Sequence, residues 1–110
     1  MKPYRPTESE CQRTLIAAAK RGGWLVHHQR PALNVSGRWS SAIQGDSGFP
    51  DLVLCHRTRG LVFVELKRKP AKLSDAQVTW GMHLEAAGAN WQTWWVPEET
   101  EQRAKWLVNG

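Results

Sequence analysis

The chain has 110 residues, 41% hydrophobic and 23% charged, which is one globular domain spanning 1–110 and excludes intrinsic disorder and fibrous repeats. Fifteen Lys and Arg against ten Asp and Glu leave a net charge of +5, a surplus that favours phosphate-bearing partners through counterion release. No apolar run reaches the ~18 residues of a membrane span, and Met1–Pro6 lacks the apolar core of a secretory signal, so a cytoplasmic protein with no membrane partner is expected.

Pro3 and Pro6 keep the first residues out of helix, and Thr7 reads as an N-cap. From Glu8 to Arg21 the residues Cys11, Leu15, Ala18 and Ala19 share one helical face, and Gly22-Gly23 ends the helix. Trp24 to Gln29 predicts a strand. Arg30 to Gly48 is a long polar loop, too long to be idle in so small a domain. Asp51–His56 and Leu61–Leu66 form a hairpin joined by Arg57-Thr58-Arg59-Gly60. Both strands are apolar on both faces, which predicts a central sheet covered on each side. Ser74 caps a helix that Gly88 stops near Ala87, and Trp91 to Val96 is a further strand. Pro97 is expected to open a last helix, with Glu98, Glu99 and Glu101 at its positive end and Arg103 and Lys105 towards its negative end. The order αβββαβα describes an α/β fold, one small mixed β-sheet flanked by helices. Cys11 and Cys55 both fall in patterns of buried positions, and no CxxC or HxxxH spacing offers a structural zinc site.

Three charged residues interrupt the apolar hairpin: Asp51 at the start of one strand, Glu65 and Lys67 near the end of the other. Glu65 and Lys67 leave the same sheet face. Asp51 lies opposite one or the other in either plausible register, so it shares that face. Two carboxylates and an ammonium thus converge at one end of a buried sheet, where unpaired charge is costly. A salt bridge from Lys67 to one carboxylate is the simplest compensation, and it leaves one acid over. A divalent cation balances the surplus, since Mg²⁺ takes one or two carboxylates together with water and phosphate oxygens. With Lys67 to orient or deprotonate a water, such a site suits phosphodiester hydrolysis.

Gly48-Phe49-Pro50-Asp51 followed by Val64-Glu65-Leu66-Lys67 resembles the PD-(D/E)xK nuclease signature. The helix that follows, with Ser74-x-x-Gln77-x-x-Trp80, Leu84 and Ala87-Gly88, is similar to the virus-type replication-repair nuclease (VRR-NUC) domains, and the likeness spans roughly residues 7 to 96. The resemblance implies a restriction-endonuclease-like core and Mg²⁺- or Mn²⁺-dependent endonucleolytic cleavage of DNA. It also implies metal ligation by Asp51, Glu65 and the main-chain carbonyl of Leu66, with Lys67 as the catalytic lysine. A glutamate on the first helix completes the family's set. Glu8 leads into the buried face and stands in a Glu8-x-x-x-Gln12 spacing, whereas Glu10 is accounted for by a Thr7-x-x-Glu10 capping box; Glu8 is therefore the expected ligand. Gln77 belongs to a Ser74-x-x-Gln77 capping box, yet it shares a face with Leu73, Trp80 and Leu84, where its amide wants a polar partner such as the carboxylate cluster. Small stand-alone members of the family look like dimeric resolvases of four-way (Holliday) DNA junctions, so a homodimer acting on branched DNA is expected, with no small-molecule cofactor. A flap, nick or general endonuclease, or an idle DNA-binding module of the same fold, are the alternatives.

The run Arg68, Lys69 and Lys72 directly after the acidic cluster is placed to hold DNA phosphates, with Arg30 and Arg38 of the long loop as further contacts. Arg57 and Arg59 at the far end of the hairpin read as solubilising charge. Asp46 reads as a turn residue, and Trp39 as a packing residue or a stacking platform for a base. Seven tryptophans, including the Trp94-Trp95 doublet, exceed what one small sheet covers and point to an interface with a second copy.

Overall fold

A computed structural model describes residues 4–28, 32–33, 39–40 and 45–110, with 32–33 and 39–40 described by their backbone. Arg30 and Arg38, and the side chain of Trp39, lie outside the described residues. Helix α1, Glu8–Arg21, begins where Thr7 caps it: the Glu10 N–H donates to Thr7 Oγ1 at 3.1 Å, and the Glu10 carboxylate accepts from the Thr7 N–H at 3.4 Å. Its buried residues are Cys11, Leu15, Ala18 and Ala19. Strand β1, Leu25–His28, follows, and two short strands, β2 (Ala32–Leu33) and β3 (Trp39–Ser40), pair antiparallel inside what reads in sequence as loop. Two residues are too few to show an alternating pattern. Then come β4 (Leu52–His56), β5 (Gly60–Lys67), α2 (Asp75–Ala86), β6 (Asn90–Trp95) and α3 (Thr100–Asn109).

The main sheet runs β1-β4-β5-β6, antiparallel except for the β5–β6 pair. Leu52, Leu54, Val62, Val64, Leu66 and Trp94 share one face, buried in a common core with α1 and with Leu107 of α3. The opposite face carries Val53, Phe63, Glu65 and Trp91, and α2 packs over its β5–β6 half. Beyond the reach of α2, Leu25, Cys55 and Leu61 are direct cross-strand neighbours and are exposed. The sheet is therefore covered on one face and half-covered on the other, and Cys55 is exposed where burial was expected.

Two expectations about the chain ends also change. The last helix starts at Thr100, not Pro97: the Glu99 N–H bonds to the Trp95 carbonyl at 2.8 Å and the Thr100 N–H to that of Pro97 at 3.0 Å, so Pro97–Glu99 form a turn first. Arg59 is a packing residue. Its guanidinium lies 4.9 Å from the Trp24 ring centroid and 4.5 Å from that of Trp106, and it donates to the last carbonyls of α3 at Trp106 and Leu107. The Trp94-Trp95 doublet divides between faces: Trp94 is fully buried beneath Trp106 and Arg103 of α3, and Lys69 stands 6.0 Å from the ring centroid of half-buried Trp95. Helix α3 thus covers tryptophan surface that had pointed to a second copy.

Helix α2 rests on the sheet at Gly81. A Cβ there would fall 2.3–2.4 Å from the ring atoms of Trp91. Gly81→Ala is expected to destabilise the fold by about 1–3 kcal/mol through overpacking, read as a lower midpoint of thermal unfolding. An unchanged midpoint would show that α2 does not depend on this contact.

Candidate active site

The hairpin register decides what meets at the end of the sheet. Leu52 pairs with Val64, so the next step outward sets Asp51 across from Glu65. Asp51 Oδ2 accepts the Leu66 N–H at 2.8 Å, which anchors this carboxylate to the edge of β5. Glu65 is 2% exposed and is the buried charged residue of the described core. Its Oε1 accepts from Gln77 Nε2 at 3.0 Å, while Oε2 is buried with no hydrogen-bond partner among the described residues. Burial pushes its carboxyl up to about 9; a hydrogen bond to the Asp51 side chain, open to the protonated acid, and the charge of the Asp51 carboxylate add to the rise, and the Lys67 ammonium opposes it.

Gln77 fulfils both roles suggested by its position. Its N–H donates to Ser74 Oγ at 3.2 Å and its Oε1 accepts the Ser74 N–H at 2.8 Å, so one amide caps α2 with its oxygen and holds Glu65 with its nitrogen. Lys67, half-buried, leaves the face that Glu65 leaves, and no ion pair among the described residues joins it to Asp51 or Glu65. A simple salt bridge therefore does not compensate the acids.

The two helix glutamates separate. Glu10 closes the Thr7 capping box and accepts a hydrogen bond from the Tyr4 hydroxyl. Glu8 is exposed on the other side, yet packing raises its carboxyl above the ordinary range. Asp51 adds to that rise, and Lys67 and Arg68 oppose it. Glu8 is thus the glutamate in electrostatic reach of the cluster. Arg68 donates to the Pro6 carbonyl at 3.3 Å and so ties the segment before α1 to the end of β5; Lys72 is exposed. The Asp46 carbonyl accepts from Trp80 Nε1 at 3.3 Å. Gln12, in the spacing shared with Glu8, lies with Nε2 2.9 Å from His28 Nε2, a contact between α1 and β1 that sequence spacing does not reveal.

Among the described residues, no group of three or more His, Cys, Asp or Glu side chains forms a ready-made metal cage. Mg²⁺ does not need one, because it is held by one or two carboxylates and keeps several waters. The donor set fits that pattern: Asp51 and Glu65 face each other, and one buried carboxylate oxygen has no partner.

With no divalent cation present, Glu65 keeps its proton up to about pH 9 when folded and releases it near 4.5 when unfolded. Its contribution to stability is full below about 4.5 and is lost as pH rises through about 9. In EDTA, the wild-type unfolding midpoint should fall across that interval relative to Glu65→Gln, which still accepts from Gln77. Parallel curves for the two proteins would contradict the buried, protonated carboxyl.

The family model for the VRR-NUC domain matches residues 25–94. No curated protein matches. A solved structure described as a VRR_NUC domain is similar in fold: it is 22% identical, with a TM-score of 0.64, over 89% of this chain and 94% of that one. That likeness agrees with a restriction-endonuclease-like core. The match spans β1 to β6 and takes in Asp51, Glu65, Lys67 and Gln77, so this chain belongs to the VRR-NUC domain family and has a nuclease-type fold.

Proposed function

We propose that this protein is a divalent-metal-dependent endodeoxyribonuclease that hydrolyses phosphodiester bonds in branched DNA as a homodimer. The observation that carries this reading is Glu65: buried, opposite Asp51, held by Gln77, and with one oxygen left for a cation. Asp51, Glu65, the main-chain carbonyl of Leu66 and Glu8 are the residues that would hold Mg²⁺ or Mn²⁺. The bound cation supplies neutralisation of phosphate charge and acidification of water at neutral pH.

The chain's own residues do the rest. Lys67 orients the attacking water and offsets negative charge as it grows on the phosphate. Gln77 keeps the Glu65 carboxyl in one orientation. Arg68, Lys69 and Lys72 continue the chain from the site and hold the DNA backbone, joined by Arg30 and Arg38; contacts of this kind read shape in preference to base order. A four-way junction presents two equivalent strands, and a twofold pair of chains supplies one site for each. The exposed row of Leu25, Cys55 and Leu61 offers apolar surface for such a pairing.

Labelled four-way junction, flap and linear duplex incubated with Mg²⁺, Mn²⁺ or EDTA test the proposal. Paired nicks in the junction are expected with either metal and none in EDTA. Asp51→Ala, Glu65→Ala and Lys67→Ala should each abolish cleavage and remain folded; wild-type cleavage by Lys67→Ala would sink the mechanism. Preferential cutting of the flap would redirect the substrate, and sedimentation as a single species near 12.5 kDa, with or without junction, would remove the dimer. Charge reversal at Lys69 and Lys72 should weaken binding to all sequences alike and lower the salt slope by about one unit per lost phosphate contact.

A further inference from the structure

A cavity of about 320 Å³ opens between the loop before β4 and helix α2, lined by Asp46, Ser47, Ala76, Thr79, Trp80 and His83. This is the low end of the roughly 300–1,000 Å³ of small-ligand sites, room for a single base-sized ring and not for a duplex. Its walls are fixed to each other. Trp80 Nε1 donates to the Asp46 carbonyl, Phe49 packs edge-on at 5.0 Å from the Trp80 centroid, and Gly48 lies so close that a Cβ would fall 2.5 Å from the Ala76 carbonyl carbon. Chain connectivity links the cavity to the candidate active site. Ala76 precedes Gln77, whose amide holds Glu65, and the loop that carries Asp46 runs directly to Asp51.

The chemistry of the lining selects the ligand. Among the described residues no Lys or Arg lines the cavity and Asp46 does, so phosphate is disfavoured. His83 Nδ1 is 2.8 Å from the Thr79 carbonyl oxygen, which can only accept; Nδ1 therefore carries the proton and, in the neutral ring, Nε2 presents a lone pair. Asp46 also lines the cavity, and its carboxylate is an acceptor by its chemistry. Two acceptors and an indole wall call for a flat ring that donates through its edge.

We propose that this cavity receives one unpaired nucleobase bearing an exocyclic amino group, turned out of the DNA beside the scissile phosphate. The inference rests on the nuclease reading and adds to it a source of substrate choice. Turning a base out costs least where it is unpaired or where its stack is interrupted, so such a cavity favours a branch point, at which stacking between arms is broken, over intact duplex. Cytosine, adenine and guanine carry an amino group whose two N–H bonds match two acceptors, whereas thymine offers a single ring N–H.

Equilibrium binding decides this separately from cleavage. Junction DNA with a fluorescent label is titrated by anisotropy in EDTA, with an abasic residue moved through each position flanking the branch. At one position the abasic change is expected to weaken wild-type binding about tenfold or more. Thymine there should weaken it relative to cytosine. Asp46→Ala and His83→Ala should bind unmodified junction with the same loss and lose nothing further on the abasic junction. An effect at no position, losses that add in variant and abasic DNA together, or no binding at all would overturn the inference. Mg²⁺-dependent cleavage of unmodified junction is scored alongside: its absence with the abasic effect intact would refute the nuclease reading alone.

Discussion

A buried carboxyl group, Glu65, sits at one end of the sheet with a single hydrogen-bond donor among the described residues, the Gln77 amide, aimed at it. Glu65 occupies a strand whose even-numbered residues, Val62, Val64 and Leu66, fill the core on the opposite face, and burying an acid on its own face without full compensation is expensive. The surrounding architecture limits that cost. The β4–β5 register brings Asp51 opposite, the close approach at Gly81 lets α2 rest on Trp91, and α2 thereby delivers Gln77 to Glu65 Oε1. A domain of this size could have used an apolar residue at 65 at less cost. In the function proposed above, this costly acid belongs to the seat of a divalent cation, whose charge and hardness match a pair of carboxylates.

The division of the sheet into two faces separates stability from chemistry. One face is packed between α1, α3 and the even-numbered residues of β5, closed at its far end by Arg59 against Trp24 and Trp106. The other face bears Asp51, Glu65 and Lys67 at one end and the exposed row of Leu25, Cys55 and Leu61 at the other. Substitutions at the acids therefore disturb little of the core.

Much of this was legible in the residues because period-two patterning is strict where one face is buried. The charged interruptions at 51, 65 and 67 could be placed on one face without any structure, and the caps at Thr7 and Ser74 located α1 and α2. The expectation of Glu8 over Glu10 rested on helical phase, the family spacing and the capping box at Thr7, and of these the capping box, with the Tyr4 hydroxyl also on Glu10, is present. What escaped were contacts between residues distant in sequence. Arg59 looks like surface charge until α3 folds back on it, Cys55 looks buried until the extent of α2 is known, and the cavity between Asp46 and His83 joins a loop to a helix face. Pro97 misled for a local reason: proline suits the first turn of a helix, but here the chain completes a separate turn before the helix begins.

The central claim is that Asp51 and Glu65 form an incomplete pair that a divalent cation completes. Calorimetric titration of the protein with Mn²⁺ at neutral pH, repeated in buffers of different ionisation enthalpy, tests it directly. Glu65, held up near pH 9 in the absence of metal, must give up its proton when the cation binds. Binding should therefore release about one proton per cation, and Glu65→Gln should lose both the release and most of the affinity. Heats independent of buffer, with equal Mn²⁺ binding by wild type and Glu65→Gln, would contradict the account.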